Sequence, residues 1–148
     1  MIAITDIYMA LLELVNAATT AADIRAPVVS SDLSEPIVRP SIKIILETDS
    51  ASRDSTHLDS RSVTAFLYYF PPNEHKWRAY HFAMMDALRP FLHDSLTVGA
   101  FTMYSDEGIE FTETDGVLIG EISYQWYEER PIDNPGEPAE TLNLKTKL

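Results

Sequence analysis

The sequence predicts an α+β fold: a single mixed, mostly antiparallel sheet with two helices, in the order α-β-β-α-β-β-β. Three observations predict it. Apolar residues recur at helical spacing in two stretches, residues 5–18 and 74–89. Period-two patterns mark residues 41–47, 61–70 and the run from 96 to 127. Within that run Asp115-Gly116 is a hairpin signal, because both residues tolerate the positive φ that a tight turn demands.

In the first helix Ile4, Ile7, Leu11, Leu14, Val15 and Ala18 share one face, and Thr5 or Asp6 is the expected N-cap. Residues 24–40 read as an extended connector, because Pro27, Pro36 and Pro40 each disfavour helix at the residue before them. In Ser41–Glu47, Ile42, Ile44 and Leu46 alternate with Lys43 and Glu47, the pattern of a strand with one buried face. Thr48–Ser60 is rich in Asp and Ser and has no apolar rhythm, so it is expected to be a long polar loop.

Arg61–Phe70 is the clearest strand. Val63, Ala65, Leu67 and Tyr69 lie on one face and Phe66, Tyr68 and Phe70 on the other, which places it centrally in the sheet. Pro71-Pro72 stops it, and Asn73 caps the second helix, whose expected buried stripe is Trp77, Tyr80, His81, Met84 and Leu88. Pro90 ends that helix. Three strands then form a meander: Leu96–Tyr104, Ile109–Thr114 and Val117–Tyr127, with Ser105–Gly108 as the first turn. Residues 1–128 form the expected domain. Residues 129–148 form an extended C-terminal segment interrupted by Pro131, Pro135 and Pro138.

Composition narrows the function. The 148 residues, 45% hydrophobic and 23% charged, suit one globular domain. No run is long and apolar enough for a spanning helix, and no basic stretch precedes Ile2, Ile4 and Ile7, so neither a membrane nor a secretory signal is expected. The absence of cysteine excludes disulfides, thiolate metal sites and cysteine nucleophiles. The net charge is −12, and residues 106–148 alone carry 11 acids against 3 bases, a net −8. Such a surface repels nucleic acid at long range, though it suits a channel that DNA traverses without sticking.

No motif assigns a catalytic, cofactor-binding or metal role. His75 and His81 are six apart, whereas a zinc helix pairs its histidines at i and i+4. His57 and His93 have no partner in sight, so a small hydrolase using them with loop aspartates is a minor alternative. Asp49, Asp54 and Asp59 are spaced by five, unlike the two-residue steps of a calcium loop. Glu110 and Glu113, three apart on a strand, point to opposite faces. The aromatic group Phe66, Tyr68, Tyr69, Phe70 and Trp77 reads as packing between sheet and helix rather than a stacking platform for bases. A ligand- or protein-binding module of α+β type is the other alternative.

One feature points outward. The last strand closes on Tyr124, Trp126 and Tyr127, and after the proline-rich stretch Leu142 and Leu144 again alternate with polar residues. A short strand beyond such a linker suits pairing with the sheet edge of a neighbouring subunit, and equally a return to its own sheet or a loose end. Tyr127, Arg130, Leu142 and Leu144 are therefore the candidate subunit-contact residues.

The order of elements resembles a known family. The residues that carry the resemblance are Ile42-Lys-Ile-Ile-Leu46, Thr64-Ala-Phe-Leu-Tyr-Tyr-Phe-Pro71, the amphipathic helix Trp77–Leu88, Thr114-Asp-Gly-Val-Leu118, Tyr124-Gln-Trp-Tyr127 and Glu140-Thr-Leu-Asn-Leu144. Together they resemble the tail terminator family of long-tailed bacteriophages and prophages. The resemblance implies a structural protein of the virion tail, assembled in the host cytoplasm. It implies a homohexameric ring that caps the tail tube, stops its polymerisation and forms the head-joining surface. Its implied partners are its own copies, the tail tube protein and a head-completion or connector protein, with DNA passing through unbound. It implies no enzymatic activity and no cofactor. The connector 24–40 and the stretch 48–60 depart from the family pattern.

Overall fold

A computed structural model describes residues 1–29 and 36–130. Helix α1 spans Ile4–Ala21 and carries Ile7, Leu11, Val15, Ala18 and Thr19 on its buried face. Ile4 and Leu14 lie at the margins of that stripe. The cap differs from the expected one. Ala3 occupies the N-cap position without a side-chain bond, and Thr5 and Asp6 fall within the first turn. There the Asp6 carboxylate faces the positive end of the helix dipole.

Strands β1 (Ser41–Arg53) and β2 (Leu58–Phe70) form a long antiparallel hairpin. The polar stretch expected as a loop is thus mostly strand, and only residues 54–57 turn the chain. Apolar alternation stops at Leu46, where the register shifts, so the distal half of the hairpin has no hydrophobic pattern to announce it. Its backbone ladder continues to Arg53 opposite Asp59, and side-chain polar contacts reinforce it: Ser50 bonds Ser62 at 2.6 Å, and the Arg61 guanidinium reaches Asp49. The tip is closed by Arg130, whose backbone N–H donates to the His57 carbonyl and whose guanidinium donates to the carbonyls of Ser55 and Thr56.

Helix α2 (Arg78–Leu88) begins later than expected. Asn73 does accept the amides of His75 and Lys76, but those bonds organise the bend before the helix. The helix stops at Leu88, two residues ahead of Pro90, as expected. Its buried residues are His81, Met84, Ala87 and Leu88. Tyr80, expected in the stripe, is exposed instead, and Trp77 lies at the margin. At roughly 100° per residue Tyr80 falls about 100° round the helix from His81, in the first turn.

Residues 96–104, expected as one strand, run as a hairpin of β3 (Ser95–Val98) and β4 (Phe101–Tyr104). Gly99, at φ 62°, makes the two-residue turn possible. Then follow β5 (Glu110–Thr114) and β6 (Val117–Glu129), joined at Asp115 (φ 52°) and Gly116 (φ 77°), the expected hairpin. The sheet order is β1-β2-β6-β4-β3, with β5 also paired to β6. All these pairs are antiparallel, and one parallel bridge, Val28 to Ile42, makes the sheet mixed. The α+β class, the two helices and the internal position of β2 are as the sequence predicts.

Both helices lie on one face. Ile42, Ile44, Val63, Ala65, Leu67, Leu118, Ile122 and Tyr124 alternate onto that face and pack beneath α1 and α2, joined by Leu92, Leu96 and Met103. Each fully buried Leu or Ile there contributes roughly 1.5–3 kcal/mol. Gly120 leaves room on the same face for Ile109 and Phe111. Among the described residues no helix covers the opposite face.

Candidate functional site

The buried polar centre of the molecule is Arg61. Its side chain is 6% exposed, and Glu128 beside it is 8% exposed. β2 and β6 set them two steps apart across the ladder, with Arg61 opposite Trp126. Arg61 Nη1 donates to both Glu128 oxygens at 3.2 and 3.3 Å, and Nη2 to Asp49 at 3.2 Å. The guanidinium lies 5.1 Å from the centre of the Trp126 ring. Glu128 Oε1 also accepts the Trp126 indole N–H at 2.9 Å and the Ile2 amide at 3.0 Å. Burial pushes the Glu128 carboxyl upward. The bonds from Trp126 and Ile2, with the charges of Arg61 and the N-terminus, outweigh it and hold the group below its usual range. The Glu128 carboxylate ties β6 to β2 and to the N-terminal segment, and Arg61 extends the tie to β1 through Asp49, which is the geometry of a structural clamp.

His81 forms a second buried polar contact. Its fully buried ring sits 4.8 Å from Trp77, with Nδ1 2.6 Å from a Glu113 oxygen. Nε2 donates to the Gly116 carbonyl at 3.1 Å, because a carbonyl only accepts. The ring thereby fixes α2 to the β5–β6 turn. Glu110 faces the other side of the sheet, as the three-residue spacing predicts.

The remaining polar candidates do not converge. His57, His75 and His93 are exposed. Asp49 serves Arg61, and Asp59 accepts from Arg130 at 2.5 Å, which holds its carboxyl below the usual range. Asp54 is exposed at the tip. Among the described residues no three metal-ligating side chains cluster, and no helix is long and apolar enough to cross a membrane. The aromatic group divides. Tyr69 and Phe70 are buried, and burial pushes the Tyr69 hydroxyl up to about 12. Phe66 and Tyr68 instead stack at 6.4 Å on the uncovered face. β2 therefore has one face in the core, while on its other face Phe66 and Tyr68 are half-buried and Phe70 is buried beneath Arg39 and Lys43.

The uncovered face holds the features that the sequence only partly announced. Toward the hairpin it is a field of hydroxyls, with Ser50 bonded to Ser62 and Thr64 to Ser123. Along β6 it has two clefts. In the first, β4 meets β6 in register at one pair, Tyr104 with Gln125, and the strands diverge from there. A cleft of about 450 Å³ opens between them, lined by Phe101, Tyr104, Gln125, Trp126 and Tyr127. Tyr104 and Tyr127 on its rim are 60% and 59% exposed. The second, of about 280 Å³, occupies the gap between β4 and β5 and is acidic, with Asp106, Glu107, Glu110 and Glu121 around it. Tyr127 was singled out from the sequence; Phe101 and Tyr104 were not, because the strand containing them read as continuous. Arg130 is engaged within its own subunit. Leu142 and Leu144 lie outside the described residues.

No curated protein matches the chain. A family model described as phage tail terminator protein matches residues 7–136, which include every helix and strand described above apart from the first turn of α1. The chain belongs to the phage tail terminator family.

Proposed function

We propose that this protein caps the tail tube as a closed ring, stops tube polymerisation and offers the surface to which the DNA-filled head is joined. The observation that carries this reading, beyond family membership, is the one-sided fold. Two helices seal one face of the sheet, and the other face is left with rim tyrosines, a stacked aromatic pair and two clefts. Exposed apolar and aromatic surface of that kind marks protein contact rather than chemistry.

A ring requires heterologous contacts, in which one patch meets a different patch on the next copy until the rotation closes; six copies is the expected number. Its partners are then its own copies, the tail tube protein and a head-completion protein, within the virion tail, after assembly in the host cytoplasm. The protein acts as a structural part and needs no cofactor. With 23 acids against 11 bases, its lumen passes DNA without gripping phosphate. At physiological salt that repulsion acts over about 8 Å. The residues beyond Arg130 serve as an arm outside the domain, while Glu129 and Arg130, expected in that arm, belong to the folded body.

Electron microscopy of tails made with and without this protein tests the reading. Tails of uncontrolled length are expected in its absence. Tails of unchanged, uniform length would refute it.

A further inference from the structure

We infer that each subunit docks the β1 flank of its sheet onto the cleft side of β6 in the next copy of this chain, where the carboxylates of Glu110 and Glu121 receive Lys43. The inference rests on the ring proposed above and names the contact that joins its subunits.

The cleft side carries charge that its own subunit leaves unanswered. Ladder register sets Ile45, Phe66, Glu121 and Glu110 in one row across β1, β2, β6 and β5. Glu121 and Glu110 thus face each other directly, and like charges in that position destabilise a sheet. Both are exposed, and Asp106 and Glu107 stand with them around the smaller cleft. Among the described residues none of these four carboxylates forms an ion pair. Residues 106–121 hold six acids and no base. Beyond the Tyr104–Gln125 pair the larger cleft is aromatic, with Phe101, Tyr104 and Tyr127 exposed at it. The acceptor is therefore two adjoining sites, one acidic and one aromatic.

The β1 flank is the counterpart. β1 is the end strand of the sheet, and past its short contact with Pro27 and Val29 its outer edge has no strand partner among the described residues. Residues 24–29 and 36–46 hold Arg25, Arg39 and Lys43 and no acid, in a chain of net charge −12. The Arg39 guanidinium lies 3.6 Å from Glu74, whereas Lys43 forms no ion pair among the described residues and its ammonium sits 5.9 Å from the centre of the Phe70 ring. Just before β1, the aliphatic side chains of Ile37 and Val38 are exposed. In its own subunit Lys43 is parted from Glu121 by two strand spacings, about 10 Å, and by the Phe66–Tyr68 stack.

An aliphatic pair followed by a cation thus meets an aromatic cleft beside a carboxylate cleft. The spacing agrees: Ile37 and Lys43 are six residues apart, as are Tyr127 and Glu121, a span of up to about 20 Å at roughly 3.3 Å per residue. The aromatic cleft supplies affinity, and the charges supply orientation and encounter rate. The two surfaces differ and flank the β2–β6 centre of one sheet. Each copy therefore binds the copy ahead with one and the copy behind with the other, a heterologous contact that propagates.

Charge exchange between copies tests this. Lys43→Glu, and separately Glu110→Lys with Glu121→Lys, should each weaken association of the full chain about 10-fold in sedimentation velocity, because like charges then meet. Circular dichroism should show both variants folded. Mixed in equal amounts the two should assemble as wild type does, alternating around the assembly, since each offers the sign that the other lacks. A mixture no stronger than either variant alone overturns the inference, and so does unchanged association of the single variants. Because the chain has no cysteine, cross-linking supplies a second readout. Copies carrying Val38→Cys, oxidised together with copies carrying Tyr104→Cys, both free and on tail tubes, should yield disulfide-joined pairs with one of each. Pairs of like copies only, or no pairs, overturn it. If the charge variants form rings normally but lose the tail tube, the acidic cleft faces the tube protein, and this contact fails while the terminator reading stands. If the mixture restores assembly but tail length is indifferent to the protein, the terminator reading fails while this contact stands. Wild-type protein that stays monomeric both free and on tubes overturns both.

Discussion

Removing the carboxylate of Glu128 should destabilise the protein by about 3 kcal/mol. Glu128→Ala strips Arg61 of two acceptors at 3.2 and 3.3 Å and leaves the Trp126 indole and Ile2 amide without theirs. Breaking a buried ion pair costs roughly 3–5 kcal/mol, because the surviving charge stays desolvated. The lower end applies here, since Asp49 remains 3.2 Å from Arg61. Arg61→Met should cost a similar amount. The pair Arg61→Met with Glu128→Leu should cost at least 2 kcal/mol less than the sum of its parts, because an apolar pair carries no desolvation penalty. Urea unfolding followed by tryptophan fluorescence and circular dichroism reads this directly. At an m-value of about 1.5 kcal/mol per molar, Glu128→Ala should lower the midpoint by about 2 M. The pH dependence has a definite sign. The Glu128 carboxyl is held below its usual value in the folded state, so its contribution is fully present above the unfolded pKa of 4.5 and is lost as pH falls through the folded one. The gap between wild type and Glu128→Gln should therefore be constant from pH 7 to about 5 and close in more acidic solution. A single-variant cost below about 0.5 kcal/mol, or a gap that widens in acid, would refute the clamp.

Three further outcomes follow from individual contacts. Gly116→Ala should lower stability by about 1–3 kcal/mol in urea unfolding, because φ there is 77° and the added Cβ would meet Trp77 at 3.2 Å. His81→Leu should lower the melting temperature by about 2–10 °C in calorimetry, since it deletes the bonds to Glu113 and Gly116 at a cost of about 1–3 kcal/mol. Tyr124→Phe should leave the urea midpoint unchanged or slightly raised. The Tyr124 hydroxyl is buried without a hydrogen-bond partner among the described residues, and burial pushes its pKa upward, so deleting the oxygen removes a desolvated group and opens no large cavity.

The legible parts of this fold were those with a strong period. β2 and the proximal half of β1 alternate cleanly, α1 repeats at helical spacing, and Asp115-Gly116 names its own turn. The distal β1–β2 hairpin was hidden because it is built from serine, threonine and charge. Arg61 bonds Glu128 and Arg130 bonds Asp59, pairs 67 and 71 residues apart that no local window contains. The break at Gly99 was hidden because Val98 and Phe101 keep the apolar rhythm across it. Asn73 was legible as a cap, and its bonds form, but tertiary packing starts the regular helix at Arg78. At the candidate assembly surface Tyr127 was recoverable from the pattern of the last strand. Phe101 and Tyr104 were not, since their exposure follows from β4 diverging from β6. The pairing of Arg61 with Glu128 is a register effect between strands 67 residues apart and leaves no trace in composition.

The proposed capping role is tested most directly by adding the purified protein to tail tubes that are still growing and measuring tube length over time. One ring per tube end should be enough to halt growth, so lengths should stop changing at a protein dose far below that of the tube subunits. Tubes that lengthen at the same rate with and without the protein would contradict it.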